Sequence, residues 1–346
     1  MLKAVVQPRI QRGTRRLRFL VSPHALVLMY HRVIDLQNDP YLLAVKPERF
    51  AEHMEVIRKL CLPISLHQLV ADLRAKKLKR RAVVVTFDDG YADNLYQAKP
   101  ILERYEIPAT VFVTAGQLGS QREFWWDELD RLLLQPGKLP GSLNMRIHGG
   151  EVVWDAGDTG EYTQDDFQRF RDWHIELESE PHSRHRLFRA LYEQIHSLDY
   201  TERQRILDEL LAWSGASPTG REPYRCMTAE EAILLERGNL IEVGAHTVFH
   251  SNLADLPPAE QRQEIQQSKD ILTALLKRPV RSFAFPYGAG TAQTITIVGE
   301  LGFESACATH ADVVWRDASR YQLPRLGVRD LDRQQFTSWL SWWLDG

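Results

Sequence analysis

Short runs of apolar residues alternate with segments of helical periodicity along most of the chain. Unbroken apolar runs are typical of strands buried on both faces, and they predict strands at 25–30, 82–87, 110–113, 241–245, 282–285 and 305–308. Apolar residues spaced for one helix face predict helices at 47–60, 65–75, 94–105, 257–277 and 291–301. Strands separated by helices pair in parallel, so the pattern predicts an α/β fold, either a barrel or a doubly wound sheet.

This alternation fails between residues 118 and 225. The stretch is rich in charged residues and tryptophan, and its helical periodicity is confined to about 185–213. We therefore predict a main domain at 25–330 that is interrupted by a helical insertion at 118–225, which forms a lid or a subdomain.

The two ends of the chain differ from this main domain. Residues 1–24 carry several arginines and no acidic residue, which suits either contact with an anionic inner membrane surface or a solvated basic arm. Residues 331–346 are predicted to form an amphipathic helix with five apolar residues on one face: Phe336, Trp339, Leu340, Trp343 and Leu344. Packing of that helix against the main domain is the favoured interpretation, and a face for a partner or a membrane is the alternative.

Composition and charge exclude several classes of protein. With 346 residues, 44% apolar and 26% charged, the chain has enough apolar material for a core, which excludes disorder. The 43 Lys and Arg nearly balance the 46 Asp and Glu, so nucleic acid is not an expected partner. The 3 cysteines predict reduced thiols rather than a disulfide framework. Because the sequence shows neither a signal-peptide pattern nor a transmembrane run, the expected location is the cytoplasm, with the inner membrane face as a variant.

Two carboxylates follow the most apolar predicted strand directly. Asp88 and Asp89 cannot both be buried as anions without compensation, because like charges at close range raise one pKa strongly. A cation or a cationic partner would resolve this conflict. The alternative is a polar turn in which Gly90 supplies a left-handed conformation.

A histidine pair follows a later predicted strand. His246 and His250 are four residues apart, which would place them on one side of a helical turn with both imidazoles able to reach one ion. Together with Asp89 they would form a set of two histidines and one carboxylate that leaves positions open for water, as a catalytic metal requires. A histidine pair without a metal is the alternative.

A third turn follows the strand predicted at 282–285. Pro286 restricts this turn and leaves the N–H of Tyr287 available as a donor for an oxyanion. Gly288 and Gly290 open a dinucleotide-binding pattern, but Gln293 stands where the third glycine is required, so a Rossmann site is excluded.

These motifs, Thr-Phe-Asp-Asp-Gly, His-Thr-x-x-His and Phe-Pro-Tyr-Gly in this order, resemble those of the polysaccharide deacetylases with a NodB-like domain, the family 4 carbohydrate esterases. The resemblance runs from about residue 26 to 328, apart from the insertion. It implies a distorted (β/α) barrel of about seven strands and hydrolysis of acetyl groups from an acetamido sugar. It also implies that Asp88 is the general base and that Asp89, His246 and His250 hold one divalent metal. Zinc is the expected metal, with cobalt, manganese and nickel as alternatives.

The sequence departs from the common family pattern at the residues expected around the base. An arginine usually stands two residues before the proline that Pro286 matches, but this position is Ala284. Arg325, near the last predicted strand, is the candidate that replaces it as the charge partner of Asp88.

The catalytic acid of many relatives, in a C-terminal Leu-His segment, is also absent, because the corresponding residues read Leu-Pro-Arg. The segment Tyr30-His31-Arg32 resembles the opening motif of the branch that deacetylates poly-N-acetylglucosamine and related exopolysaccharides. His31 is therefore the candidate for the catalytic acid. The alternative for His31 is a loop cap, and His310 is a weaker candidate acid.

The expected substrate is a carbohydrate that bears acetamido groups. Its predicted contacts are aromatic residues and the motif proline: Tyr30, Tyr91, Pro286, Trp125 and Trp126. For the two tryptophans, a place in the core of a lid is an equal alternative. Two other functions stay open at this point. The site could cleave an O-acetyl ester or a non-sugar amide, or the barrel could bind glycans without turnover.

Overall fold

The structure, a computed structural model, describes Phe19 and residues 22–147, 150–155 and 160–346. The basic arm predicted at 1–24 therefore lies almost entirely outside the described residues. No helix in the described part of the chain is both long and apolar enough to cross a membrane.

The central sheet is built from the apolar runs that the sequence shows. Its strands, in chain order, are β1 His24–Tyr30, β2 Leu62–Pro63, β3 Ala82–Phe87, β4 Ala109–Val113, β5 Ile241–Ala245, β6 Ser282–Ala284, β7 Ser305–Cys307, β8 Val314–Trp315 and β9 Leu326–Gly327. Every residue of β3 and β4 is buried, as expected for strands covered on both faces.

The sheet is a curled half-barrel of mostly parallel strands in the order β7, β6, β5, β4, β3, β1, β8. β9 pairs with β1 in parallel and β2 pairs with β3 in parallel, whereas β8 runs antiparallel to β1. A parallel bridge between Cys307 and Leu323 joins β7 to the segment that leads into β9. Arg325 follows this bridge, so the same segment contacts β7 and then β1. The fold is therefore the distorted (β/α) barrel expected from the sequence.

Helices connect and cover these strands. In chain order they are α1 Pro47–Leu60, α2 Leu66–Arg74, α3 Lys99–Tyr105, α4 Trp125–Leu133, α5 Gln164–Phe170, α6 Ser183–Ile195, α7 Tyr200–Ser214, α8 Ala229–Glu236, α9 Pro258–Leu276, α10 Ala292–Glu300 and α11 Arg333–Asp345. Residues that favour a helix N-terminus stand at the start of several of these helices. Pro47 lies in the first turn of α1, and Thr228 and Asp332 form capping boxes at α8 and α11. A π-helical segment, Asn94–Ala98, precedes α3.

The inserted region has a hydrophobic cluster of its own, built mainly from α4, α6, α7 and the strands beside them. Two antiparallel pairs lie within it, Ser142–Ile147 with Gly150–Asp155 and Gly137–Lys138 with Glu161–Tyr162. The insertion predicted as helical contains strands as well as helices. Strand Ser142–Ile147 alternates buried and exposed positions and packs only one face on the cluster.

The C-terminal helix α11 packs against α1. Phe336, Leu340 and Leu344 are buried in the main core, and the Phe336 ring stacks on His53 with centroids 3.9 Å apart. Trp342 points away from this contact and is 52% exposed.

Candidate metal and catalytic site

The candidate residues come from the carboxyl ends of neighbouring parallel strands. Asp88 and Asp89 follow β3, and His31 follows β1, its direct neighbour. His246 follows β5, and the Pro286 turn comes just after β6. Parallel strands end at one edge of a sheet, so the fold brings these chain segments together where α/β barrels place their active sites.

Asp89, His246 and His250 form one buried cluster. Asp89 Oδ1 lies 3.6 Å from His246 Nε2 and 3.4 Å from His250 Nε2, and the three potential ligand atoms lie within 4.8 Å of one another. The residues are 2%, 1% and 6% exposed. Asp89 Oδ1 has no hydrogen-bond partner although it is buried, which is costly for a carboxylate oxygen that does not bind a cation. The donor set therefore fits a divalent metal.

Both imidazoles are neutral, which is the protonation state that a metal ligand requires. His246 Nδ1 donates to the carbonyl oxygen of Ala284 at 2.8 Å, which leaves the lone pair of Nε2 facing Asp89. Burial lowers the pKa of His246 to about 4. Burial and the positive charge of Arg203 lower the pKa of His250 to about 3. The two rings are therefore neutral at neutral pH.

The two histidines do not share a helical turn, so that expectation was wrong. Residues 246–250 form a loop in which Thr247 and His250 have positive φ angles of 62° and 55°. Asp89 and Tyr287 also have positive φ, 74° and 58°. Such angles are strained for residues other than glycine, and strain of this kind concentrates at functional sites. The backbone of these loops, rather than a helix, directs the ligands to one point.

Asp88 is paired with Arg325, the partner that the sequence suggested. Arg325 Nη1 donates to Asp88 Oδ1 at 2.6 Å and Nη2 donates to Oδ2 at 2.7 Å. Arg325 is held in turn, because its Nε donates to the Ala308 carbonyl oxygen at 2.8 Å and its Nη1 to Thr86 Oγ1 at 3.2 Å. Burial alone would raise the pKa of Asp88, but the guanidinium outweighs it and holds this pKa at about 2. Asp88 is therefore ionised at neutral pH.

Thr86 is a site residue that the sequence did not reveal. Its hydroxyl donates to the Leu28 carbonyl oxygen at 2.8 Å and accepts from Arg325. It belongs to the Thr-Phe-Asp-Asp-Gly motif, and the side chain of a threonine two residues before Asp88 in an extended strand points to the same face as Asp88. This alternation was the available signal.

His31 lies within electrostatic reach of the carboxylates. Burial lowers its pKa, and the negative charges of Asp89 and Asp88 oppose that effect. Its backbone carbonyl oxygen accepts a hydrogen bond from Asn94 Nδ2 at 2.9 Å, which anchors the loop after β1. His310, the weaker candidate acid, is exposed.

The predicted substrate contacts are all buried. Tyr30 is 1% exposed and its hydroxyl contacts His53 Nδ1 at 3.3 Å, so it faces the barrel core rather than a cleft. Tyr91, Trp125 and Trp126 are 0%, 4% and 5% exposed. Pro286 is buried as well. A sugar cannot stack on these rings as they stand, and for the tryptophans the lid-core alternative describes the structure.

Three aromatic rings surround His250. The rings of Trp126, Tyr287 and Phe124 lie 4.8, 4.7 and 6.0 Å from its imidazole, centroid to centroid. Tyr287 is 37% exposed, and its hydroxyl accepts a hydrogen bond from Trp125 Nε1 at 3.1 Å. Tyr287 is thus the accessible aromatic side chain at this edge of the site.

A hydrogen-bonded chain holds Trp126 in this position. Trp126 Nε1 donates to the Tyr91 hydroxyl at 2.9 Å, and that hydroxyl donates to Asp127 Oδ2 at 2.6 Å. Burial raises the pKa of Asp127 to about 8, although the nearby Arg32 opposes the rise. Phe124 and Asp127 flank the two tryptophans in the sequence, in the segment expected either to line a sugar groove or to form the core of a lid.

Solved structures share this fold. The deacetylase PplD of Streptococcus pyogenes, in complex with acetate, superposes with a TM-score of 0.56 at 16% identity, over 92% of this chain and 98% of PplD. IcaB from Ammonifex degensii superposes with a TM-score of 0.56 at 19% identity, over 92% of this chain and 97% of IcaB.

Sequence comparison places the chain in a family. The YxkH protein of Bacillus subtilis (strain 168) is 26% identical over 110 residues, which is 31% of this chain and 37% of YxkH. The match thus spans little more than a third of that relative. The profile of the family described as polysaccharide deacetylase matches residues 75–211 and 222–306, well over half of the chain. The chain therefore belongs to the polysaccharide deacetylase family.

Proposed function

We propose that the protein removes N-acetyl groups from an acetamido sugar of a polysaccharide or glycan precursor, as a hydrolase of carbon–nitrogen bonds that are not peptide bonds. The observation that carries this proposal is the position of an ionised carboxylate, Asp88, directly beside the cluster of Asp89, His246 and His250. A base next to a metal site of this composition suits attack by water on an acyl carbon.

Asp88 is the group that takes the proton from the attacking water. Its two oxygens are held by Arg325, so the carboxylate keeps one orientation and stays ionised. Asp89, His246 and His250 would hold a divalent metal, most simply zinc, which supplies Lewis acidity toward the acetyl carbonyl when bound. The backbone N–H of Tyr287 is the proposed donor to the developing oxyanion.

The leaving nitrogen needs a proton, because an amide nitrogen departs poorly as an anion. His31 is the proposed donor of that proton. Burial lowers the pKa of its imidazole, and the negative charges of Asp89 and Asp88 oppose that effect and favour the protonated form. The water oxygen then forms a bond to the acetyl carbon while the carbon–nitrogen bond breaks. The products are acetate and a free amino sugar.

The direct experiment is acetate release from an N-acetylchitooligosaccharide and from an O-acetylated glycan, with metal content measured on the same protein. We expect release from the N-acetylated substrate and its loss after chelation. The Asp88→Asn variant should keep its metal and lose activity by a factor on the order of 100 to 10,000, whereas His246→Ala should lose both. Full activity in Asp88→Asn would refute the assignment of the base.

The same assay separates the alternatives. Release from the O-acetylated glycan alone would identify an esterase, and metal binding without release from either substrate would identify a glycan-binding barrel. Substitution of His31 by alanine should lower the rate with little loss of metal, and unchanged kinetics would transfer the acid role to another group. A cytoplasmic location at the inner membrane face is a further proposal, which cell fractionation tests.

A further inference from the structure

Four arginines in the described part of the chain are at least nine-tenths buried: Arg32, Arg184, Arg203 and Arg325. Arg32 and Arg325 each form an ion pair with an aspartate. Arg184 donates to the carbonyl oxygens of four residues. Arg203 has neither an ion pair nor several carbonyl partners, although the Nε of Arg184 is also buried without a hydrogen-bond partner.

Arg203 has little compensation for its buried charge. It is 2% exposed, its Nη2 donates to the Leu198 carbonyl oxygen at 2.7 Å, and its buried Nε has no hydrogen-bond partner. The carboxylate of Glu264 feels the charge of Arg203 but does not form an ion pair with it. The guanidinium lies 5.4 Å from the Trp125 ring centroid. Burial of an unpaired cation costs several kcal/mol, so a side chain kept in this state is poised to receive an anion.

The guanidinium lies beside the metal site. Trp125, the ring it contacts, donates through Nε1 to the Tyr287 hydroxyl, and the Tyr287 ring packs on His250. Arg203 belongs to α7 of the inserted region, so the insertion supplies a positive charge near a cluster whose three candidate metal ligands come from the barrel.

We propose that Arg203 forms a carboxylate-binding subsite next to the site of deacetylation. A guanidinium presents a planar fork of donors that matches a carboxylate, and the unpartnered Nε is one edge of that fork. The carboxylate has two sources, free acetate as a product or an acidic sugar of the glycan substrate. The subsite deepens the proposed deacetylase function and rests on it.

The test measures carboxylate binding without turnover. The full chain is titrated with acetate, glucuronate and, as the neutral counterpart of glucuronate, glucose, each with and without a chelator so that direct binding to a metal is removed. We expect both or one of the carboxylates to bind, glucose to bind far more weakly, and Arg203→Met to weaken carboxylate binding at least tenfold. Tighter binding of glucuronate indicates an acidic glycan, and binding of acetate alone indicates a product site.

Three variants separate carboxylate binding from folding. Arg203→Met should raise the Tm, since it removes an unpaired buried charge and keeps an apolar side chain of similar length. The matched control Arg184→Met should lower the Tm and leave carboxylate binding unchanged, because Arg184 holds four carbonyl groups. Arg203→Lys keeps the charge without the fork and should bind carboxylates with intermediate affinity.

Equal carboxylate affinity in the wild type and in the Arg203 variants would overturn the proposal, as would absence of carboxylate binding to the wild type. Neither result depends on deacetylation. Loss of acetate release from acetylated substrates, with carboxylate binding intact, would instead contradict the proposed function.

Discussion

Arg325 and Asp88 form a bidentate ion pair between residues 237 positions apart, with contacts of 2.6 and 2.7 Å and side chains that are 0% and 4% exposed. The pair joins β3 to the segment between β7 and β9. It therefore holds the general-base candidate in place and ties the last strand of the barrel to the centre of the sheet.

Arg325→Met should destabilise the protein by about 3–5 kcal/mol, because it leaves the Asp88 carboxylate buried without a partner. Acetate release should fall with it, since the carboxylate loses its orientation. Urea unfolding measures the first effect. Arg320→Met is the control, since Arg320 is partly exposed and its side chain donates to the Tyr321 hydroxyl. We expect its stability to change by no more than about 0.5 kcal/mol. Equal stability of Arg325→Met and the wild type would contradict a structural contribution of the pair.

Tyr91→Phe should weaken metal binding about tenfold, the lower end of what outer contacts of a metal site contribute. The hydroxyl that it removes accepts from Trp126 Nε1 and donates to Asp127, and the Trp126 ring packs on His250. Competition with a chelator of known affinity measures the effect.

Tyr162→Phe is the matched control for Tyr91→Phe, since Tyr162 is a tyrosine of the inserted region that is 2% exposed and packs against histidines away from the cluster. Its metal affinity should equal that of the wild type. If both variants, or neither, lost affinity, Tyr91 would have no specific role in positioning His250.

Thr247→Gly should stabilise the chelated protein by roughly 1 kcal/mol, because a β-branched residue at φ 62° is strained and glycine is not. The Thr247 hydroxyl is buried without a partner, so its removal costs no hydrogen bond. Thermal unfolding measures the change. Thr114→Gly, at φ −74°, should instead destabilise, and a loss of stability in both variants would show that Thr247 is not strained.

Stability should fall as the pH drops from 6.5 toward 4 because of His53. Burial lowers the pKa of this residue to about 4, so the unfolded chain takes up a proton on His53 at a higher pH than the folded chain does. The contribution of His53 to the free energy of unfolding is complete above about pH 6.5, and about 2 kcal/mol of it is lost at pH 5. Unfolding free energies at pH 5 and pH 7 measure it. His53→Gln should reduce this pH dependence, whereas substitution of the exposed His196 should leave it intact.

The strands of the barrel were predictable because their signal is local. The runs at 82–87 and 241–245 coincide with β3 and β5, since buried parallel strands are apolar on both faces. The hairpin that contains Ser142–Ile147 was missed because one face of it is exposed, so charged residues such as Arg146 interrupt the apolar pattern.

The metal-site residues were also predictable, but their geometry was not. The motifs identified Asp89, His246 and His250, whereas the spacing of the two histidines suggested a helical turn and the structure has a loop. Spacing in sequence reports a local conformation only when the backbone is regular, and positive φ angles at His250 and Thr247 break that regularity.

The sequence by itself determined the order of strands and helices, the family and the identities of the groups around the site, because apolar periodicity and turn chemistry act over a few residues. Only the tertiary structure decided that Arg325 meets Asp88, that the two tryptophans are buried instead of lining an open groove, and that the Nε of Arg203 is buried without a hydrogen-bond partner. These outcomes depend on contacts between segments far apart in the chain, and burial and charge compensation are properties of the assembled fold.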